Sequence, residues 1–221
     1  KGNKFIAIPS FTLNGTYTNN LVGSMVSNNG GLSYEPVGGL RILTATAGTG
    51  TLTQGTGGTL LYLSPTAVFV PTLTATAANN TVAYAQTGSG SIKGTSYYNL
   101  HLAPKGPSYT MTLAGATTIN NNLTVTPYSS TALNDGTYKL TGPGTGAGKY
   151  WVTNDYYQFS MNLSHTGADP FPVFQTYDMH RSYSGGGSTS NMTATLSAAT
   201  NQNIPAGYIF GNLTITGNGT K

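Results

Sequence analysis

The side chains that could carry out catalysis are gathered in one interval of the chain, from Gly144 to Gly187. This interval holds three of the five carboxylates and two of the three histidines. In an extended segment, Asp178 and His180 would lie on the same face, and general acid–base chemistry needs two such groups within reach of one bond. No catalytic signature accompanies them, so we predict a non-enzymatic protein whose charges here keep a loop soluble. The catalytic candidates are Asp155, Asp169, Asp178, His165, His180 and Arg181.

Metal, cofactor and nucleic-acid sites are not indicated by the sequence. Repeats that bind Ca²⁺ need several carboxylates in each turn, whereas the whole chain of 221 residues has only five acidic residues. Cysteine is absent, which excludes disulfides and thiolate metal ligands. The nine Lys and Arg residues are scattered, so the net charge of +4 forms no basic patch of the kind that nucleic acid requires. We therefore predict no metal, no cofactor and no nucleic-acid partner.

Aromatic residues are also concentrated in the interval from Gly144 to Gly187, which holds nine of the 23 in the chain. Exposed Trp and Tyr rings present flat apolar faces with a polar edge, and sugars stack on such faces. The alternative is that the rings fill the local core, since a chain rich in Gly and Thr has few large side chains for packing; we favour this alternative. The carbohydrate-binding candidates are Trp151, Tyr156, Tyr157 and Tyr177.

The composition of the chain favours strands over helices. Only 6% of the residues are charged, against roughly 25% in an ordinary soluble domain, so Thr, Ser, Asn and Gly must solvate the surface. Thr packs well on a pleated sheet, whereas all four residue types rank low in helix propensity. Short apolar runs alternate with Gly, Asn, Pro and Ser clusters, as strands and turns require. No run of 18 apolar residues is present, so we predict no membrane-spanning segment.

A short recurring unit indicates how these strands are arranged. Asn-Leu-x-aliphatic occurs at 99–102, 122–125 and 212–215, with a first spacing of 23 residues and a second of 90, close to four further intervals. A period of this size is typical of a solenoid, so we predict an all-β parallel β-helix or solenoid-like stack. A pair of β-sandwiches, jelly-roll or Ig-like, is the alternative. The repeat positions, assigned to the scaffold, are Asn99, Leu100, Leu102, Asn122, Leu123, Val125, Asn212, Leu213 and Ile215.

The predicted domain organisation is one β-rich repeat region over residues 1–221, interrupted by the aromatic-rich interval at about 144–187. If the chain instead forms two sandwiches, the division falls near 71–80. Strand-like patterns at Lys4–Leu13 and Gly211–Lys221 lack polar caps. Open strand edges favour continuation in a longer chain or pairing with another subunit by strand addition.

The segment Thr112–Val125 (TLAGATTINNNLTV), led by an aromatic-Asn-Leu-x-Leu strand, resembles repeats in very large secreted surface proteins of Bacteroidota and related bacteria. The resemblance covers Asn80–Val125 and Asn191–Lys221, about a third of the chain. It implies an exported protein with β-helix or β-sandwich repeats, adhesin-like or part of an extracellular fibre, at the bacterial surface. Such proteins carry no catalytic motif that transfers to this chain.

We therefore expect an extracellular structural or adhesive β-repeat module of a bacterial surface protein or filament. Its expected partners are copies of itself, the rest of a longer chain, or surface glycans. One alternative is a carbohydrate-binding or carbohydrate-active β-helix that uses the aromatic-rich interval. Another is a pilus-like subunit that polymerises by donating a terminal strand, for which Lys1–Leu13 is the candidate.

Overall fold

The computed structural model describes residues 11–14, 17–18, 39–42, 47–48, 51–63, 72–128, 131–152, 159–165, 171–179, 192–198, 201–204, 206, 208, 210, 212–216 and 218. Within these ranges the regular structure consists of strands, with no helix. The strands are β1 Phe11–Asn14, β2 Tyr17–Thr18, β3 Gly39–Ile42, β4 Ala47–Gly48, β5 Thr51–Gln54, β6 Thr59–Tyr62, β7 Thr72–Thr74, β8 Thr81–Tyr84, β9 Gly90–Ile92, β10 Ser96–Tyr97, β11 Asn99–Leu102, β12 Tyr109–Leu113, β13 Thr117–Ile119, β14 Leu123–Val125, β15 Thr131–Asn134, β16 Leu140–Thr141, β17 Lys149–Val152, β18 Phe159–Leu163, β19 Thr176–Met179, β20 Met192–Leu196 and β21 Asn212–Ile215.

Three groups of parallel strands form the walls of a stack. The seven-stranded sheet has the order β19-β17-β14-β11-β8-β6-β3, and the six-stranded sheet has the order β21-β20-β18-β15-β12-β9. The short sheet contains β10, β13 and β16, and a bridge from Ala75 to Tyr97 connects it to the strand pair β5-β7. Two antiparallel pairs, β1 with β5 and β2 with β4, lie nearer the start of the chain.

The chain visits the three walls in rotation. From β8 it passes through β9 and β10 to β11, which lies beside β8 in the same sheet. Leu100 pairs in parallel with Val82 of the preceding coil and with Leu123 of the following coil, 23 residues later. This confirms the predicted all-β class and the solenoid-like stack. The sandwich alternative would require mainly antiparallel sheets.

Alternate residues of each strand point into a single column. In β11, Leu100 and Leu102 are buried while Asn99 and His101 are half-buried, and β14 and β15 show the same alternation. Side chains along a strand alternate between faces, so one face of each wall meets the interior. Fully burying each large apolar side chain contributes about 1.5–3 kcal/mol. The column continues from Leu60 to Leu196 as one hydrophobic cluster.

Glycines allow consecutive coils to touch at one corner of the stack. Gly94 lies between β9 and β10, and Gly115 occupies the same corner one coil later, between β12 and β13. A Cβ atom on Gly94 would overlap the backbone of Gly115. The two bends therefore nest backbone against backbone, which only glycine permits here.

The coils become longer after β15, although the ladders continue. Gly90 and Met111 pair at a distance of 21 residues, whereas Met161 and Ala194 pair at a distance of 33. Strands β17, β18 and β19 fall in the predicted interruption at 144–187 and nevertheless extend the two long sheets. Likewise β6 and β8 pair directly across the interval 71–80, where the alternative division was placed. The extra residues therefore lie in corners and leave the ladders intact.

The third predicted repeat unit lies in a different wall from the other two. Asn99 and Asn122 precede paired leucines of the seven-stranded sheet, whereas Asn212 begins β21 of the six-stranded sheet. Leu213 and Ile215 are 38% and 49% exposed, although they pair with the buried Ala194 and Leu196. The predicted equivalence of Asn212 with the other two was therefore wrong, because an Asn-Leu-x-aliphatic pattern specifies a strand after a bend but not which wall it joins.

Candidate functional site

Trp151 lies on the outer face of the seven-stranded sheet. Strand β17 alternates, so that Tyr150 and Val152 are buried in the column and Lys149 and Trp151 face outward. Adjacent residues of a strand cannot both point inward, and in this strand Tyr150 occupies the interior. Trp151 remains 38% exposed.

Two charged side chains hold the indole ring. The Lys149 Nζ atom lies 4.6 Å from the centroid of the Trp151 ring, within the range of a cation–π interaction. The same Nζ atom donates a hydrogen bond of 2.7 Å to Oδ2 of Asp178, on the adjacent strand β19. Trp151 and Asp178 are register partners. We refer to Lys149, Trp151 and Asp178 as the Trp151 patch.

A row of outward residues continues from the Trp151 patch across the earlier coils. Trp151 pairs with Thr124, and Thr124 pairs with His101. The His101 Nε2 atom lies 2.9 Å from the Thr126 hydroxyl. Burial lowers the pKa of His101 below its ordinary value, because the charged imidazolium loses hydration. The row therefore presents a neutral imidazole, a hydroxyl, an indole and a carboxylate.

Tyr177, another predicted sugar-binding residue, belongs to an aromatic cluster inside the stack. Its ring lies 6.5 Å from that of Tyr150 and 4.9 Å from that of Tyr208, centroid to centroid. Its hydroxyl accepts a hydrogen bond of 2.9 Å from the backbone N–H of Phe174. These contacts agree with the core-filling interpretation. Tyr156 and Tyr157 lie outside the described residues.

The asparagines at 99 and 122 bond to the coils beside them. The amide of Asn99 donates to the Asn80 carbonyl at 2.8 Å, and its oxygen accepts from the Asn121 side chain at 2.9 Å. The side-chain oxygen of Asn122 accepts from the backbone N–H of Lys149 at 2.9 Å. Both side chains thus satisfy polar groups at the bends, as expected of scaffold residues.

The described catalytic candidates are not brought together. Asp178 pairs with Lys149, and the ring Nδ1 of His165 lies 3.1 Å from the Thr137 carbonyl. No hydrogen bond or ion pair joins Asp178 to His165, and no metal-sized group of His, Cys, Asp and Glu occurs in the described part of the chain. The remaining candidates lie outside it, namely Asp155, Asp169, His180 and Arg181.

Asp135 has a structural role that the sequence analysis did not assign. Its carboxylate is only 2% exposed and accepts four hydrogen bonds. Ser164 donates from its hydroxyl and its backbone N–H, both at 2.6 Å, His165 donates its backbone N–H at 2.6 Å, and Thr137 donates its own at 3.0 Å. The Asp-Gly pair of a turn was the available signal, but its partners on the next coil were not.

A closed hydrogen-bonded ring of tyrosines lies in the earlier coils. The Tyr84 and Tyr97 hydroxyls are 2.9 Å apart, the Tyr97 hydroxyl donates to the Lys93 carbonyl at 2.6 Å, and the Lys93 N–H donates to the Tyr84 oxygen at 2.9 Å. The Tyr62 ring stacks on Tyr84 with centroids 4.8 Å apart. Burial raises the pKa of all three tyrosines. These groups stabilise the interior.

Comparison with known proteins adds no assignment. No protein-family model, no curated protein and no solved structure matches this chain. Among the described residues, no helix is long and apolar enough to span a membrane.

Proposed function

We propose that this chain is a structural and adhesive module of a bacterial surface protein or filament, located outside the cell. The observation that carries the proposal is the continuous buried column between parallel ladders, which runs from Leu60 to Leu196. The stated resemblance to repeats of secreted surface proteins supports the same function. A stack of this kind serves as a stiff spacer, and its outer faces are available for contact.

The geometry of the ladders accounts for the stiffness. Seven strands, about 4.8 Å apart, give a wall of about 29 Å along the stack. Bending such a wall would strain the inter-strand hydrogen bonds and the side chains packed behind them. The buried amide and carboxylate groups also bind neighbouring coils to one another, as Asn99 and Asp135 do.

The location is tested on intact cells of the source organism with an antibody against the purified chain. We expect labelling of intact cells and loss of that labelling after brief protease treatment. Labelling only after lysis would refute the extracellular assignment. Attachment to a surface is measured in parallel, with the purified chain as competitor, and unchanged attachment would refute the adhesive role.

Assembly by strand addition is a second candidate, favoured by the exposure of β21. This strand is the outermost in the described six-stranded sheet, and its Leu213 and Ile215 side chains continue the buried side of β20 while remaining exposed. Edge strands of this kind accept further strands. We expect Leu213→Lys to reduce concentration-dependent association in sedimentation velocity; association equal to that of wild type would exclude β21 as the contact.

A further inference from the structure

We propose that the Trp151 patch is a binding site for a neutral oligosaccharide of hexopyranose units. This inference goes beyond the scaffold role and does not depend on it, because a stiff module requires no ligand site. It also differs from the four-residue sugar site expected from the sequence, since it retains Trp151, replaces the tyrosines with Lys149 and Asp178, and lies on the outer wall.

The exposed indole provides the apolar contact. Trp151 is 38% exposed on a wall whose neighbouring outward residues, Thr124 and His101, are half-buried and polar. An indole carries a negative ring face, and the C–H groups of a pyranose ring carry partial positive charge. A sugar that covers the ring would therefore bury apolar surface and gain an electrostatic contact at once.

The ring is held in place before any ligand binds. Lys149 lies against the indole at 4.6 Å and is itself bound to Asp178 at 2.7 Å, so each side chain restricts the other two. All three belong to strands of a sheet, which position a site more accurately than a loop does. A ligand would lose little affinity to ordering of the protein.

The charges of the patch point to a neutral ligand. Lys149 and Asp178 form a pair, so a uronate or sulfate group would meet the carboxylate as well as the ammonium. Both side chains remain accessible, at 39% and 47% exposure, and an exposed pair contributes little to stability. The ammonium has three donor hydrogens and the carboxylate has several acceptor positions. Sugar hydroxyls can use both without displacing the pair.

The row beside the patch provides room for more than one sugar unit. Thr124 and His101 continue from Trp151 on consecutive strands, each about 4.8 Å from the next. Burial lowers the pKa of His101, so near neutral pH it adds no charge to this face. An oligosaccharide lying along the stack would thus pass over a neutral polar surface next to the indole.

The test uses the fluorescence of Trp151, which is the only tryptophan in the chain. The purified chain is titrated with cellohexaose and with mannohexaose, and oligogalacturonate serves as the anionic comparison. We expect a saturable blue shift and protection from acrylamide quenching with at least one neutral oligosaccharide, and at least tenfold weaker binding of the anionic one. An unchanged spectrum with both neutral probes, or a preference for the anionic probe, would overturn the proposal.

Variants locate the binding by titration calorimetry. We expect Trp151→Ala to weaken binding of the responsive oligosaccharide at least tenfold and Asp178→Asn to weaken it by about threefold or more. Tyr138→Ala removes a comparably exposed ring, at 44%, and should leave the affinity unchanged. Circular dichroism establishes that each variant is folded. Equal affinity of Trp151→Ala and wild type would overturn the proposal, as would protection of the indole by self-association without sugar.

Discussion

The regular coils at 72–128 and the enlarged coils at 131–216 bury their interiors in different ways. In the regular coils three walls enclose the column, and buried tyrosines bond in a closed ring around Lys93. In the enlarged coils, the described strands after β16 belong only to the two long sheets. An aromatic cluster packs behind those sheets and contains Tyr150, Phe171, Phe174, Tyr177, Tyr208 and Phe210.

This difference shows that the two long sheets, rather than the third wall, maintain the stack. The ladders stay in register where the coil lengthens, as the pairings of Leu133 with Met161 and of Met161 with Ala194 show. Large rings can replace a strand because each buries far more apolar area than a Thr or Val side chain. The enlarged coils also carry the Trp151 patch. A longer corner thus gives the outer face new chemistry without altering the ladder.

Alkaline pH should have the largest effect and should act on both regions. Burial raises the pKa of Tyr62, Tyr84 and Tyr97 in the regular coils and of Tyr150 and Tyr208 in the enlarged coils. The folded state therefore keeps protons that the unfolded state loses, so the stabilisation is complete below pH 10 and is lost as pH rises above it. Each such tyrosine costs about 1.4 kcal/mol per pH unit above about 10.

The measurement is tyrosinate absorbance after a jump to high pH. We expect a fast phase from exposed rings such as Tyr138 and a slow phase that coincides with unfolding. Complete ionisation in the fast phase, with the circular dichroism unchanged, would contradict the burial of these hydroxyls.

Replacing Asp135 should have the largest effect of any substitution tested on the ladders. Asp135→Ala leaves four donors without their acceptor, two of them between consecutive coils, and we expect a loss of about 3–5 kcal/mol. Asn134→Ala is the matched control, since the Asn134 side chain accepts one hydrogen bond, from Gly136 at 2.9 Å, and should cost about 1 kcal/mol. Urea unfolding provides both values. Equal losses would mean that the carboxylate does not join the coils.

Glycine substitutions test how tightly each region is packed at its corners. Gly94→Ala forces a methyl group into the backbone of Gly115, and we expect a loss of about 1–3 kcal/mol from overpacking. Gly146→Ala in the enlarged coils meets no atom within 4 Å and should be neutral or stabilise by about 0.4–1 kcal/mol. Thermal unfolding of the two variants distinguishes them. A neutral Gly94→Ala would mean that the regular coils are looser than described.

Paired hydroxyl deletions should give the smallest difference between the regions. Tyr97→Phe leaves the Tyr84 hydroxyl and the Lys93 carbonyl without a partner in the ring, at an expected cost of about 1–3 kcal/mol. Tyr150→Phe removes a hydrogen bond to the Met161 sulfur at 3.2 Å. Sulfur is a weak acceptor, so we expect a cost below about 1 kcal/mol. The order of the two losses in urea titrations is the prediction, and a reversed order would refute it.

Sequence patterns predicted the fold wherever local alternation and period determine it. The spacing from Asn99 to Asn122 matches one coil of the stack, and the Thr-rich strands lie where the pattern indicates. The wall occupied by Asn212 was not predictable, since strands of two walls have the same alternation. The interior position of Tyr177 depends on Tyr208, far away in sequence. The four-bond site of Asp135 likewise depends on Ser164, a coil further on.

The site was predictable only in part for a similar reason. The sequence singled out Trp151 as the only tryptophan, but its outward position depends on the neighbouring Tyr150 occupying the column. The contact of Lys149 with both the ring and Asp178 joins residues 29 apart. Such a contact exists only once the register of β17 with β19 is set.

The pairing of each strand with only the coil before and the coil after has a consequence for how the chain folds. Leu100 contacts Val82 and Leu123 as its ladder partners, which makes the stack a one-dimensional array with nearest-neighbour coupling. In such an array, folding can nucleate at any pair of adjacent coils and propagate outward. Local damage then melts a few coils and stops, so that a module under tension would yield stepwise rather than all at once.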